Sequence, residues 1–341
     1  MPIREGGLGL RYVAENADQS YHTSTKITQP LVECIISQSD DLPDAPTEHK
    51  VKKAAVAQVK ELQATRSTSL KTQQTPELQR ALEQHSQPGA SSWLGALPIA
   101  AQGFNLNKGE FQDALCLRYL TQIRNLPSNC PCGAKFDQNH ALDCKRGGFV
   151  NARHDNIRDM EHNLLKSVCT DVETEPQLQT IHNKNNYSAS AKKDDNARLD
   201  IRARGFWRRG QNAFFDVRIT NPDNTSQQNV KIDSILKKHE NEKKRKYNKR
   251  VMEVEHGSFT PLVFTTSGVM SHECTKFHKA LAEKLAEKKN ERYDVIMRYL
   301  RVKLSFMALK ATLLCLRGSR RGKGIVDSGE DFGFTLNELG L

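Results

Sequence analysis

Hydrophobic positions follow two regimes along the chain, and the change comes near residue 147. Before it, apolar residues recur at helical spacing. ITQPLVECIISQS within residues 1–40 predicts a short helix, and Val51, Ala55, Val59 and Leu62 share a helical stripe. The polar TRSTSLKTQQ is expected to break that second helix. TPELQRALEQ starts another, with Thr75 as N-cap, Pro76 at the first helical position and Glu77 just inside. Farther on, Phe111, Leu115, Tyr119 and Ile123 line up on one helical face. DDLPDAPTE and SQPGASS read as linkers.

After residue 147 helix and strand signals alternate. Ile157, Met160, Leu164, Leu165 and Val168 mark an amphipathic helix, and VETEPQL reads as a strand. ARLDIRARGFW and AFFDVRIT are two stronger strands joined by the turn-like RRGQN. A charged helix is expected over 231–250, a third strong strand over FTPLVFTTSG, and helix over 272–317. The pattern divides the chain into a mainly helical region 1–92, a helical segment 93–146 ending in a Cys/His cluster, an α/β core 147–270, helices 271–317 and a disordered tail 318–341.

Two acids stand out against this pattern. Period-two alternation puts Phe215, Val217 and Ile219 on one face of their strand and Phe214, Asp216 and Arg218 on the other. In the neighbouring strand Leu199, Ile201 and Ala203 are expected to share a face opposite Asp200 and Arg202. A carboxylate between Phe and Val is costly to bury unless its charge is compensated. A divalent ion, magnesium or manganese for an all-oxygen site, would compensate two such acids. The plainer alternative places both acids at strand ends in water. On the helix 231–250, with nine Lys or Arg against three Asp or Glu, His239, Lys243 and Lys246 or Tyr247 share a face. A lysine there could steady a water or a developing charge; a solvated basic face is the alternative.

Composition adds a polyanionic partner to this picture. Formal charge is +11, from 51 Lys and Arg against 40 Asp and Glu. Hydrophobic content of 37% and aromatic content of 6% suggest packed domains separated by polar stretches. No apolar run reaches the roughly 18 residues that span a membrane, and the N-terminus lacks a signal-peptide core, so an intracellular protein is expected. Cys34, Cys116, Cys169, Cys274 and Cys315 are scattered among apolar residues and read as core thiols. Cys130, Cys132, His140 and Cys144 instead form a tetrahedral zinc set, although Cys-x-Cys is tighter than the usual spacing. Arg153, His154 and Asp155 open the following helix, where His154 could touch phosphate and Asp155 favours the helix dipole.

In this order the pieces resemble the C-terminal region of early-branching non-LTR retrotransposon polyproteins, which carry a zinc knuckle and a restriction-enzyme-like endonuclease. The resemblance rests on Cys130, Cys132, His140, Cys144; Gly147-Gly148; Arg153-His154-Asp155; Glu175-Pro176; Leu199-Asp200; Asp216-Val217; and Glu242-Lys243 with Lys246-Tyr247, over about residues 93–265. It implies a restriction-endonuclease-like mixed sheet flanked by helices, preceded by a mainly α region and the knuckle. It implies a magnesium-dependent DNA endonuclease nicking target DNA to prime reverse transcription. Asp200 and Asp216 become metal ligands, Lys243 the catalytic lysine, and Glu175 a neighbour of the site. Arg153, His154, Lys244, Arg245, Lys246 and Tyr247 become nucleic-acid contacts, with duplex DNA as partner and element RNA a further candidate. Leu199 stands where the family has Pro, and Arg218, which cannot act as a base, where many related nucleases have Lys. Residues 1–40 are similar to the tail after a polymerase palm, yet no polymerase Asp-Asp motif is present: Asp40-Asp41 and Asp194-Asp195 lie in polar linkers. A nuclear site of action follows from the substrate, and the KKRK run at 243–246 is compatible with import. The competing expectations are a catalytically inactive, zinc-stabilised nucleic-acid-binding remnant and an RNA-binding accessory factor.

Overall fold

The computed structural model describes residues 1–10, 13–39, 45–181, 188 and 198–320. Asp40-Asp41, Asp194-Asp195 and most of the expected tail, 321–341, lie outside them. The chain divides into two units, Met1–Ser86 and Gln87–Leu341.

The first unit is helical: α1 (Val13–Ser37), α2 (Ala45–Thr72) and α3 (Pro76–Ser86). Helix α1 is longer than the short helix expected, and Pro30 lies inside it. Helix α2 runs through the polar stretch expected to break it. The hydroxyls of Thr65 and Thr68 donate to the carbonyls of Glu61 and Ala64, 3.0 Å each, so their polar groups are satisfied within the helix. Helix α3 starts where Thr75 and Pro76 predict, with Leu78 N donating to Thr75 Oγ1 at 3.4 Å.

The second unit is mixed α/β. Helix α4 (Lys108–Tyr119) begins with a capping box between Asn107 and Glu110. It ends at Leu120, which adopts φ +52°, so Ile123 is not on the helical face expected for it. Phe111 is exposed as well. The residue that packs inward is Ala114, in a cluster with Trp93, Phe104 and Phe306. Helices α5 (Gln138–Asp143) and α6 (Phe149–Lys166) are separated by Gly147 and Gly148, whose φ of +83° and +76° a residue with a Cβ adopts only under strain.

Four strands follow: β1 (Val172–Thr174), β2 (Ile201–Arg204), β3 (Asn212–Thr220) and, after helix α7 (Ile232–Glu253), β4 (Ser258–Thr265). The sheet order is β1-β2-β3-β4, antiparallel except for the parallel β3–β4 pair that α7 connects. Helices α8 (His272–Lys289) and α9 (Tyr293–Arg317) complete the unit. One sheet face, through Ile201, Phe215, Val217, Leu262 and Phe264, packs on α6, α8 and α9. The other packs on α7 through Phe214 with Tyr247 and Val251, and through Val263 with Ile232 and Leu236. Leu199 breaks the expected alternation. A bend at Asp200 precedes β2, and Leu199 joins Phe214 and Tyr247 on the α7 side, away from Ile201 and Ala203.

Candidate functional site

The first cluster is built by β3, the bend before β2, α6 and α7. Extending the β2–β3 register (Ile201 opposite Phe215) sets Asp200 opposite Asp216. Asp216 lies mid-strand and is 4% exposed, so the strand-end-in-water alternative does not describe it. Lys243 Nζ, carried on α7, pairs with Asp216 Oδ2 at 2.5 Å. Burial pushes the Asp216 carboxyl up to about 6, Lys243 opposes the shift, and the negative charge of Asp200 adds to it. The two acids therefore feel each other's charge across the strand pair.

Asp200 is engaged differently. Its Oδ2 accepts from Val217 N at 2.6 Å and lies 3.2 Å from His154 Nε2 on α6. Burial lowers the His154 pKa, but the hydrogen bond and charge of Asp200, aided by Asp155, outweigh it and leave the imidazole above its ordinary value. Glu175 stays at the margin. Its φ is +49°, its N–H donates to Asp200 O at 2.9 Å, and its carboxylate is clamped by Arg158 at 2.7 Å. Arg158, which the sequence reading passed over, also holds Asp155 (3.1 Å) and Asp159 (2.9 Å). Its only advance signal is the i, i+3 spacing to Asp155.

Two expected nucleic-acid contacts are corrected. Arg153 is 3% exposed, turned inward where its charge acts on Cys315, and cannot reach a phosphate backbone. Tyr247 is 6% exposed, packed against Phe259 (ring centroids 5.7 Å) in the cluster with Leu199 and Phe214, so its ring is no stacking platform. Lys246 lies over that ring at 4.8 Å. Lys244 is paired with Glu273 at 2.7 Å, and Arg245 is exposed. The outward face of α7 instead lines an open cavity of about 700 Å³ with Ser234, Lys237, Lys238, Asn241, Lys244 and Arg245. Lys237 and Lys238 were missed because a charge run read linearly does not say which lysines face out. Arg218 is held by Glu242 at 3.0 Å, which leaves Lys243 as the lysine beside the acids.

The second cluster is the Cys/His set. The ligand atoms of Cys130, Cys132, His140 and Cys144 all lie within 4.8 Å of one another. Cys130 Sγ and Cys144 Sγ are 3.7 Å apart, and Cys132 Sγ is 3.4 Å from His140 Nε2. Zinc bond lengths near 2.3 Å to sulfur and 2.0 Å to nitrogen set tetrahedral corners about 3.8 and 3.5 Å apart, so the spacing fits zinc. Burial raises the Cys130 thiol pKa, whereas the Ala134 backbone N–H lowers that of Cys132. Among the described residues this is the one set of three or more His, Cys, Asp or Glu side chains close enough to hold an ion unaided. Asp200 and Asp216 do not belong to such a set. No described helix is long and apolar enough to cross a membrane. No family model matches the chain, and no curated protein matches it in sequence.

Proposed function

We propose that the Gln87–Leu341 unit is a restriction-endonuclease-like, magnesium-dependent DNA nicking domain of the non-LTR retrotransposon kind. One observation carries the reading: a carboxylate, Asp216, buried mid-strand beside a second acid, Asp200, and paired with a lysine brought from 27 residues away. Such a group raises the free energy of the fold unless something cationic uses it. Asp200 and Asp216 would hold the ion. A divalent ion there supplies a Lewis acid and a water of lowered pKa. Lys243 places a positive charge where the cleaved phosphate becomes more negative, and His154 holds a proton at Nε2 beside Asp200. Lys237, Lys238 and Arg245 on α7 supply backbone contacts to duplex DNA, with element RNA a further partner. The zinc set stabilises the knuckle. A reverse-transcriptase portion would act from outside this chain. Nuclear action follows from the substrate alone, because in the fold Lys243 and Lys244 of the KKRK run are committed to ion pairs.

A binding-only remnant is the second reading. It draws on the same site: Lys243 neutralises Asp216, and Val217 N with His154 occupies Asp200, without any ion. Supercoiled-plasmid nicking with magnesium separates the two. Parent protein should nick, chelator should stop it, and Asp216→Ala should fall to the no-protein background while still binding DNA. Equal nicking by parent and variant sinks the assignment, and binding without nicking by both selects the remnant.

A further inference from the structure

The Cys/His centre is clasped onto the exit of the strand that carries Asp216. Asn221 directly follows β3 and is 5% exposed. Its side-chain amide donates to Asn139 Oδ1 at 3.3 Å and to Asp143 Oδ2 at 3.4 Å. Asn139 precedes the ligand His140, and Asp143 precedes the ligand Cys144. Asn224 adds a 2.6 Å bond from its amide to the same Asp143 oxygen. The connection itself is folded around these groups, with Asp223 N donating to Asn221 Oδ1 and Ser226 N to Asn224 Oδ1, both at 3.2 Å. Between β3 and the centre there is thus a continuous chain of hydrogen bonds that ends on the two residues flanking metal ligands.

The helix that supplies the acceptors cannot hold them alone. Helix α5 has six residues, well short of the roughly 12–15 that an isolated helix needs. Its other supports are Asp137, which caps it through His140 N at 2.8 Å, the bonds from Gln138 Nε2 to Thr121 O (3.3 Å) and from Arg320 to Ala141 O (3.1 Å), and the apolar cluster of Cys130, Phe136, Ala141 and Cys144 with Leu313 and Leu316 of α9. Two of those four knuckle residues are themselves ligands. Metal at the centre would hold α5 within its span, at His140, and at its C-cap, Cys144.

We infer that metal binding at Cys130, Cys132, His140 and Cys144 orders the β3–α7 connection, with Asn221 as the positioning residue that couples the two. The coupling does not depend on whether the chain cuts DNA. Linkage makes it reciprocal: whatever metal does to the loop, the loop does to metal affinity.

The test uses the full chain with zinc alone as the probe. In hydrogen exchange, stripping zinc should speed amide exchange in two places, 136–146 and 218–230, while α8 residues 274–285 stay protected. Asn221→Ala should already show fast exchange at 218–230 with zinc bound, and should bind zinc roughly tenfold more weakly in chelator competition. Because Asn221 is buried, Asn224→Ala, which removes the bond to Asp143 and the local turn contacts from Thr225 and Ser226, serves as a second, more exposed variant with a shift in the same direction. Unchanged zinc affinity in both variants overturns the proposal. So does exchange at 218–230 that ignores zinc, or exchange that rises uniformly with α8 included.

Discussion

Replacing Asp216 by Asn is expected to make the protein more stable at pH 7, although it removes an ion pair. Burial holds the Asp216 carboxyl at about 6 against an ordinary 3.8, and this balance already includes the help of Lys243. Asn mimics the protonated acid. A raise of about two pKa units at ~1.4 kcal/mol each gives about 3 kcal/mol of stability recovered at neutral pH. The sign follows from proton binding. Between pH 4 and 6 the folded acid keeps a proton that the unfolded chain releases, so the parent loses stability as pH rises through that window and stays at its lowest above it. The variant lacks that decline, and the two proteins converge below about pH 4. For a unit of this size the gain is a rise of roughly 6–12 °C in the unfolding midpoint at pH 7. Calorimetric scans of parent and variant from pH 4 to 8 measure it. Magnesium should narrow the gap by stabilising only the parent. A variant that melts at or below the parent at pH 7 would refute the reasoning, because the acid would then be comfortable where it is.

Two further outcomes follow from the same reading of charge. Glu161 and His278 form a fully buried pair, Nε2 to Oε1 3.0 Å, tying α6 to α8. Burial pulls the His278 pKa down, but Glu161 carries it above 6.5, so its stabilisation is present below 6.5 and lost as pH rises through the higher folded value. Glu161→Gln should cost about 3–5 kcal/mol at pH 6 in urea unfolding and flatten the alkaline decline; an undiminished decline assigns it elsewhere. The double reversal Lys237→Glu with Lys238→Glu should weaken duplex binding and lower the slope of log affinity against log salt by about two. A slope equal to that of the parent removes the α7 cavity from the interface.

Much of the site was legible because its signals are local. A lone Asp inside the apolar run AFFDVRI marks a buried charge whatever the topology, and the cysteine spacing brings its own ligands together. Helix α3 announced itself through Thr75 and Pro76. What stayed hidden depends on distant partners. Leu199 changes faces because Asp200 turns its carboxylate to Val217 N and the chain bends there. Arg153 goes inward because Cys315 of α9, far along the chain, packs near it. Tyr247 is buried because β4 brings Phe259 beneath it. Helix α4 ends at Leu120, where a positive φ stops a pattern that hydrophobic spacing alone would continue. The zinc set also looked like a separate module in sequence, whereas Leu313 and Leu316 of α9 share its core.

Helix α9 has a consequence for biosynthesis. Ser305 Oγ receives Trp93 N at 3.1 Å, Arg317 grips Asp113 with two bonds of 2.6 and 2.7 Å, and Thr312 Oγ1 donates to Thr266 O at 3.0 Å. The earliest segments of the second unit are thus completed by its last described helix. A ribosome that has delivered everything through β4 still holds an unfinished body, with Phe104 and Ala114 lacking the Phe306 that covers them. Chains stopped before residue 317 should therefore be poor folders and ready substrates for quality control, however intact their acids and cysteines.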